Sequence, residues 1–295
     1  MASRSPEVDD DGVPVGRQDQ APADSADTSG LRHEGMSPRT RSRLVRAGFY
    51  ALFLLLLVFL AFFIDWAQVA ASFFQPSIAA EMFPTVLLRA ARNTLIFTFF
   101  GFTMGLILGL LIALMRLSSI RPYRWFASIY IEIFRGLPAL LTIFIIGLGV
   151  PIAFGGGLPG TYTAGSVALG LVAAAYMAET IRAGIEAVPK GQMEAARSLG
   201  MSHTRAMASI VIPQAFRIII PPLTNELVLL LKDTSLLFVI GTTDATEELV
   251  KFGRDNAFDT ANSTPYIVVG LVYLAITVPM TRLVAVLERN TKKAK

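Results

Sequence analysis

The sequence EAARSLGMSHTRAMASIVIP, from Glu194 to Pro213, decides how this chain is interpreted. It is a polar connection between two apolar segments, and it predicts two short helices joined by a hinge. The residues from Gln192 to Leu199 favour a helix, and Gly200 supplies the left-handed residue that often ends one. Ser202 is suited to cap a second helix that runs into the apolar residues 210–212.

Two adjacent alanines, Ala195 and Ala196, leave a shallow face on the first of these helices. A shallow face followed by a glycine turn suits a projection that fits into a groove of another protein. The same residues are poor material for an independent core. An amphipathic cytoplasmic linker is the alternative interpretation, but a linker would tolerate many spacings.

The composition excludes several classes of function. Apolar residues make up 53% of the 295 residues and charged residues only 16%, which is not the balance of a soluble domain. The absence of cysteine excludes disulfides, thiolate metal sites and a cysteine nucleophile. The two histidines, His33 and His203, lie far apart in polar segments, so we predict no metal site. The pI of 9.5 arises from positive charge dispersed between apolar runs, which argues against a nucleic-acid partner.

Six apolar segments predict an all-α, polytopic membrane helix bundle. They span residues 47–64, 93–115, 125–150, 162–180, 213–241 and 265–281. The first is uncharged and about 27 Å long as a helix, close to the hydrocarbon thickness of a bilayer. In the second, Gly101, Gly105 and Gly109 recur at four-residue spacing, which predicts the close approach of another helix. Pro221 and Pro222 predict a break in the fifth.

The two ends of the chain are polar. Residues 1–46 are rich in Asp, Ser, Pro and Gly and contain almost no large apolar residues. They cannot bury enough surface to fold, so we predict a disordered cytoplasmic tail. Residues 288–295 form a basic cytoplasmic tail. No signal peptide is evident, because the first apolar run begins far from the N-terminus.

The distribution of lysine and arginine predicts the orientation, because positive charges favour the cytoplasmic side. The positive residues on the predicted inner side are Arg39, Arg41, Arg43, Arg46, Arg116, Arg121, Arg124, Arg182, Lys190, Arg197, Arg205, Arg282, Arg289, Lys292, Lys293 and Lys295. The positive residues on the predicted outer side are Arg89, Arg92, Lys251 and Arg254. Both chain termini and the loop that contains Glu194 are therefore expected in the cytoplasm.

The order of residues in this loop resembles the coupling loop of bacterial ABC-importer permeases. The matching residues are Glu194, Ala195, Ala196, Gly200, Ile210, Ile212 and Pro213, with isoleucine where the family more often has leucine. Further stretches resemble the polar amino acid permeases among these importers: Asn93 to Leu95, Ala113 to Arg116, Tyr130 to Pro138, Ala175 to Arg182, Gly191-Gln192, Pro213 to Ala215 and Lys232 to Leu236 (KDTSL). The resemblance covers residues 85–287. The extra segment 47–64 and Leu137, where threonine is usual, depart from the family pattern.

The resemblance implies a type I ABC-importer permease core, with a coupling loop at residues 188–212, preceded by one extra N-terminal transmembrane helix. It implies a chain in the bacterial cell (inner or plasma) membrane that moves polar amino acids by alternating access. The residues expected to couple it to an ATPase are Gln192, Glu194, Ala195, Ala196, Gly200 and Pro213.

The partners implied by the resemblance are two copies of an ABC ATPase subunit, an extracellular solute-binding protein, a second permease subunit and the lipid bilayer. The second subunit is either an identical or a related chain. Because this chain has no G-x-x-x-x-G-K-[ST] phosphate loop, ATP and Mg are expected in the separate ATPase. We therefore expect neither enzymatic activity nor a cofactor in this chain.

Ionisable residues within the membrane segments are rare and costly, so each one is a candidate site. The pairs Glu132–Arg135 and Glu179–Arg182 have a three-residue spacing and are predicted to form structural ion pairs. Asn225 and Glu226 follow the two prolines and are candidates for the solute path. Lys232, Asp233, Thr234 and Ser235 are candidates for contact with the carboxylate or amine of an amino acid, or for stabilising a helix break.

Two further interpretations stay open. Residues 244–262 predict a short helix capped by Asp244 with Leu249 and Phe252 on its apolar side. It either contacts the binding protein or lies on the membrane surface. A secondary amino acid carrier, working without an ATPase, is the alternative function, although carriers commonly show repeated halves and no repeat is evident here.

Overall fold

The computed structural model describes residues 38–156 and 160–293, and the regular structure within these ranges is helical throughout. The predicted all-α fold is confirmed. The α-helices are α1 (Pro38–Phe63), α2 (Trp66–Phe73), α3 (Pro76–Met82), α4 (Arg92–Leu117), α5 (Arg121–Gly136), α6 (Ala139–Phe144), α7 (Val150–Phe154), α8 (Thr161–Glu186), α9 (Lys190–Ser198), α10 (His203–Ala206), α11 (Ile212–Asp233), α12 (Leu249–Thr260) and α13 (Thr264–Lys293). The predictions for residues 1–37 and for the last two residues of the basic tail lie outside the described residues.

Three π-helical segments and one 3₁₀ segment join these helices. They are Val86–Ala91, Ile145–Gly149 and Met207–Val211 for the π segments, and Thr234–Ile240 for the 3₁₀ segment. Helices α2 and α3, which lie between the first two predicted spans, were not predicted from the sequence. Asp65 caps α2 by accepting a hydrogen bond from the backbone N–H of Gln68 at 2.9 Å.

Five of the six predicted membrane segments correspond to helices that could cross a membrane, and the other corresponds to a bent pair of helices. Five helical stretches are long and apolar enough to cross a membrane: Arg39–Phe63, Val86–Leu117, Thr161–Glu186, His203–Ile240 and Thr264–Arg289. A sixth exists if the bent pair Arg121–Gly136 and Ala139–Ala153 is counted as one span.

The predicted third segment, residues 125–150, is not a single straight helix. Its two halves, Arg121–Gly136 and Ala139–Ala153, meet at an angle of 107°. Pro138 has no N–H to donate, and Leu137, directly before it, has extended backbone with ψ 142°. The proline therefore ends α5 and redirects the chain into α6.

The chain divides at Ile64 into two compact units. The first contains α1, whose large apolar side chains from residue 49 to residue 63 are exposed, as expected of a helix that faces lipid. Helix α1 begins at Pro38, within the tail 1–46 predicted to be disordered. Arginine is a good helix former and proline is well suited to the first helical turn, so residues 38–46 extend the membrane helix.

The second unit is built around the contact between α4 and α8, where the predicted glycine face is confirmed. A Cβ atom added at Gly105 would lie 2.9 Å from Cβ of Ala173. One added at Gly109 would lie 2.9 Å from Cβ of Met177 and 3.0 Å from the backbone oxygen of Ala174. The glycines thus allow the two helices to approach more closely than any other residue would permit.

The predicted break at Pro221 and Pro222 is wrong, because α11 continues as an α-helix through both prolines. Proline fixes φ at a value compatible with a helix and removes only its own N–H donor. The carbonyl oxygens left without their usual helical donor are those of Arg217 and Ile218, one turn earlier. The change in helix type occurs later, within KDTSL, where α11 ends at Asp233 and the 3₁₀ segment begins.

Candidate functional sites: the 190–213 loop and the polar face of α11

The loop between α8 and α11 has the predicted form of two short helices joined by a hinge. Helix α9 ends at Ser198, and Gly200 follows with φ 84°, in the left-handed region that favours glycine. Ser202 caps α10, because its hydroxyl accepts a hydrogen bond from the backbone N–H of Arg205 at 3.3 Å. The local structure predicted for this loop is therefore confirmed.

The side chains of α9 separate into an outer and an inner set. Glu194, Ala195 and Gly200 are exposed, whereas Ala196 is only 5% exposed and packs inward. Leu199 is 85% exposed, which is unusual for a leucine and adds an apolar tip to the projection. Sequence reasoning missed Leu199, and its position directly before the glycine hinge was the available signal.

The loop is attached firmly to α11. Gln214 Nε2 donates to Gln192 Oε1 at 3.4 Å and to the carbonyl oxygen of Ile210 at 3.0 Å. Val188, before the loop, and Val211, near its end, are buried in one apolar cluster with residues of α4, α5, α8 and α11. Pro213 lies directly after the π segment Met207–Val211, inside the continuous helical stretch His203–Ile240. The loop and α11 are thus linked by one side-chain hydrogen bond and a shared apolar cluster.

Of the two predicted ion pairs, one forms. Arg182 binds Glu179, with Nε at 3.1 Å from Oε2, and it also binds Glu186 one turn further along α8. Glu132 and Arg135, both within the described ranges, form no salt bridge with each other. The Arg135 guanidinium instead lies 5.5 Å from the centroid of the Tyr176 ring in α8. A cation–π contact with a neighbouring helix has replaced the local pair.

The polar residues of α11 lie on different faces. Glu226 and Asp233 are seven residues apart and so face the same side, where both line a small cavity of about 20 Å³ together with Ala139 and Tyr176. Asn225 and Lys232 are exposed on the neighbouring face. The structure thus brings Glu226 and Asp233 together and separates them from Asn225 and Lys232.

Thr234 and Ser235, the last two candidates for contact with an amino acid, differ in burial. Thr234 is fully buried and donates its hydroxyl hydrogen to the carbonyl oxygen of Leu231 at 2.7 Å, which stabilises the change from α-helix to 3₁₀ helix. Ser235 is half-buried. The helix-break interpretation of KDTSL therefore has a direct contact in its favour at Thr234.

A second polar cluster lies where α12 begins. The predicted cap of this helix, Asp244, is wrong, because Glu248 is the cap and is fully buried. Glu248 accepts hydrogen bonds from the N–H groups of Val250 at 2.6 Å and Lys251 at 2.7 Å. Burial raises the pKa of Glu248 to about 7, although the two backbone N–H groups act in the opposite direction.

The beginning of α12 is fixed to α4 by Asn93 and Thr94, two residues of the motif noted in the sequence. Asn93 Nδ2 donates to the carbonyl oxygens of Ala245 at 3.0 Å and Glu247 at 2.9 Å. Asn93 Oδ1 accepts from the Tyr162 hydroxyl at 2.6 Å, and Thr94 Oγ1 accepts from the N–H of Leu249 at 3.1 Å.

Helix α12 itself is packed against the bundle. Leu249 and Phe252, predicted on its apolar side, are buried with residues of α3, the first π segment and α13. Arg89 forms a salt bridge to the buried Glu247 at 2.5 Å. Burial also raises the pKa of Glu247, opposed by the charges of Arg89 and Lys251. Within residues 38–156 and 160–293, no group of three His, Asp or Glu side chains could hold a metal ion.

Comparison with known proteins gives a consistent result for this arrangement. Residues 101–293 match the family model described as binding-protein-dependent transport system inner membrane component. The chain is 39% identical over 204 residues to a probable glutamine ABC transporter permease protein, GlnM, of Bacillus subtilis, covering 68% of this chain and 91% of that protein. It is 34% identical over 212 residues to the glutamate/aspartate import permease protein GltK of Escherichia coli O6:H1, covering 70% and 93%.

A solved structure supports the same assignment. An amino acid ABC transporter with histidines matches at a TM-score of 0.63 and 37% identity, covering 77% of this chain and 99% of that one. The inward-facing MetNI methionine ABC transporter, at 22% identity and a TM-score of 0.56, supports the fold.

The chain therefore belongs to the binding-protein-dependent transport system inner membrane components. It is a multi-pass membrane protein and the permease subunit of an ABC importer.

Proposed function

We propose that this permease imports polar amino acids across the bacterial cell membrane and that residues 190–213 dock on a separate ATPase. The relatives are named for amino acids of different charge, among them arginine for ArtQ of Bacillus subtilis, which supports the broad substrate class. The observation that carries the proposal is the projection formed by Glu194, Ala195, Leu199 and Gly200, which is exposed at its tip and tied at its base to α11.

The mechanical consequence follows from these attachments. Two ATPase subunits bind ATP and Mg, and their closure moves the projection. Because Gln192 is bonded to Gln214 and Ala196 packs inward, the displacement reaches α11 and the candidate solute residues on it. Residues 85–287 form the transport domain in this proposal, and helix 47–64 is an addition to it.

The assembly and orientation are inferred from the charges and the family. A second permease subunit, identical or related, completes the membrane portion, and an extracellular solute-binding protein delivers the amino acid to the α12 side. The N- and C-termini and α9 are placed in the cytoplasm, as the positive-inside distribution supports.

A size series at Ala195 tests the docking proposal. Ala195 is exposed and lies within a helix, so Ala195→Trp adds bulk at the docking face without the backbone strain expected at Gly200. We expect Ala195→Trp to abolish the stimulation of ATP hydrolysis by loaded binding protein, whereas Ala195→Ser retains it. Equal stimulation in the two variants, with both complexes intact on size-exclusion chromatography, would contradict the proposal.

The solute path is proposed to include Glu226 and Asp233, which line the cavity, with Asn225, Lys232 and Ser235 near it and Thr234 supporting the turn. Two carboxylates on one face favour the ammonium group of an amino acid or a cationic side chain. A carboxylate that faced lipid instead would cost about 3 kcal/mol or more.

Cysteine labelling tests this path, because the natural chain has no cysteine to interfere. We expect cysteine at position 226 to react with a water-soluble thiol reagent in at least one nucleotide state. Val228→Cys is the matched control, since Val228 is on the same helix but buried. If position 226 is as unreactive as position 228 in every nucleotide state, Glu226 is a structural residue and not part of the path.

Reconstitution separates this proposal from the carrier alternative. Liposomes that contain the chain alone should take up no amino acid, and uptake should require the ATPase, ATP and the binding protein. Uptake by the chain alone would favour a secondary carrier.

A further inference from the structure

One tyrosine hydroxyl lies between the end of the candidate solute path and the start of α12. Tyr273 Oη, on α13, is 3.4 Å from Thr234 Oγ1 and 3.5 Å from Glu248 Oε2. Thr234 directly follows Asp233, which lines the cavity, and Glu248 caps α12. The three side chains therefore connect two parts of the permease that are distant in sequence.

The available hydrogens decide how these contacts can be arranged. Thr234 donates its hydroxyl hydrogen to the carbonyl oxygen of Leu231 at 2.7 Å, so its oxygen can only accept from Tyr273. Tyrosine has a single hydroxyl hydrogen. Thr94 is also near this hydroxyl, but its own hydrogen is donated to the carbonyl oxygen of Ala90 and its oxygen accepts from the N–H of Leu249. Tyr273 can thus donate fully to Thr234 or to Glu248, but not to both.

The protonation of Glu248 selects between these two arrangements. A carboxylate accepts only, so the ionised side chain attracts the hydrogen of Tyr273. A neutral carboxylic acid can donate to the Tyr273 oxygen and leave the tyrosine hydrogen for Thr234. In the neutral state a continuous chain of donors then runs from Glu248 through Tyr273 and Thr234 to the carbonyl oxygen of Leu231.

The surroundings of Glu248 make both states accessible near neutral pH. Its side chain is fully buried, and burial raises its pKa to about 7. Three kinds of group lie next to the Glu248 carboxyl: the N–H groups of Val250 and Lys251 from α12, the Tyr273 hydroxyl from α13, and the neighbouring Glu247 carboxylate. The Glu247 carboxylate is itself paired with Arg89 and lies 3.9 Å from Lys251 Nζ. The Glu247 charge acts in the same direction as burial, and the two N–H groups act against it.

We propose that Glu248 is a positioning residue that acts through Tyr273 to hold Thr234, and with it the neighbouring Asp233, at the solute path. The proposal rests on the proposed function, since it assigns Asp233 to that path. Protonated Glu248 fixes the turn after α11, and loss of its proton releases the Tyr273 contact to that turn. Solute acceptance by the permease then depends on the pH at the α12 side.

The test uses the complete importer in proteoliposomes, with the external pH varied from 6 to 8. The solute is whichever of glutamine, arginine and glutamate the importer takes up best, supplied with its binding protein at saturating amino acid. The quantity measured is the concentration of loaded binding protein that gives half-maximal uptake, recorded separately from the maximal rate. In the wild type we expect this concentration to rise about two- to tenfold between pH 6 and pH 8, the range for one net hydrogen bond.

Two substitutions should each make the half-maximal concentration independent of pH, one at a low value and the other at a high value. Glu248→Gln keeps an amide that can donate to Tyr273, so its half-maximal concentration should stay at the low-pH value throughout. Tyr273→Phe keeps the ring and removes the contact to Thr234, so its value should stay at or above the wild-type value at pH 8. Asp259→Asn, which removes an exposed carboxylate from the same helix, is the matched control and should follow the wild type.

A purely structural role would weaken uptake in both variants alike and would leave the pH dependence in place. The proposal is overturned if the wild type is flat between pH 6 and pH 8, if Tyr273→Phe keeps the wild-type pH dependence, or if both variants are weakened equally at every pH. If Glu248→Gln does not assemble, the isosteric Tyr273→Phe alone decides between these outcomes.

A second readout is independent of transport. The melting temperature of the purified permease in detergent should depend on pH between 5 and 8 in the wild type, and Glu248→Gln should reduce that dependence. If no amino acid is taken up at any pH, the proposed function fails, and this unfolding measurement then decides whether Glu248 titrates as proposed. An unchanged pH dependence in Glu248→Gln overturns the inference in that case.

Discussion

Substituting Gly109 with alanine should separate the two central helices of the bundle. The added Cβ would lie 2.9 Å from Cβ of Met177, 3.0 Å from the backbone oxygen of Ala174 and 3.2 Å from the backbone nitrogen of Ala178. Carbon atoms pack at about 3.5–4.0 Å, so α4 must move away from α8 by roughly 0.5–1 Å. Two of the three contacts are backbone atoms, which cannot rotate out of the way.

The size of the effect follows from two opposing contributions. Overpacking of this kind costs about 1–3 kcal/mol. Replacing a helical glycine by alanine returns about 0.5–1 kcal/mol through reduced chain entropy. Gly270 in α13 is the matched control, because an added Cβ meets nothing within 4 Å there. Gly109→Ala should therefore be less stable than Gly270→Ala by about 1–3 kcal/mol.

The measurement is reversible unfolding of the purified permease in mixed micelles with increasing dodecyl sulfate, followed by circular dichroism. Gly101→Ala provides an intermediate point, since its nearest neighbour is the Cβ of Leu169 at 3.2 Å and the next is a flexible leucine methyl group. The expected order of stability is Gly270→Ala, then Gly101→Ala, then Gly109→Ala. If Gly109→Ala is as stable as Gly270→Ala, the close approach of α4 and α8 does not limit the fold as argued.

Two further predictions concern the region where α12 begins. Asn93→Leu removes both hydrogen bonds to the carbonyl oxygens of Ala245 and Glu247. It should destabilise the permease by about 1–3 kcal/mol, because buried acceptors lose their donor. Unfolding in the same micelles measures this change, and a loss of stability below about 0.5 kcal/mol would contradict the prediction. The pKa of Glu248 is raised from 4.5 to about 7, so the folded chain keeps a proton that the unfolded chain loses. This stabilisation, about 3 kcal/mol, should be complete below pH 4.5 and be lost as the pH rises through 7. The measurement is the unfolding free energy of the wild type as a function of pH, and a value that does not change between pH 4.5 and pH 7 would refute the prediction.

The sequence alone was sufficient for the features that depend on near neighbours along the chain. The length of an apolar run predicts a membrane span whatever it packs against, which is why five of the six predicted spans correspond to helices long enough to cross a membrane. Gly200 and Ser202 define the hinge of the 190–213 loop through their own backbone and capping preferences. The spacing of Gly105 and Gly109 predicted a packing face because glycine has no side chain and leaves room for a neighbouring helix.

The tertiary structure decided the features that depend on residues distant in sequence. Arg135 has Glu132 one turn away, yet it contacts the ring of Tyr176, which another helix supplies. Glu248, rather than Asp244, caps α12.

The same dependence on packing applies to α11 and the neighbouring turn. Neither the continuity of α11 through Pro221 nor the contact of Tyr273 with Thr234 could be predicted locally. In each case the free energy of burying a polar or irregular group depends on the partners that surround it. Those partners are brought together only when the bundle has formed.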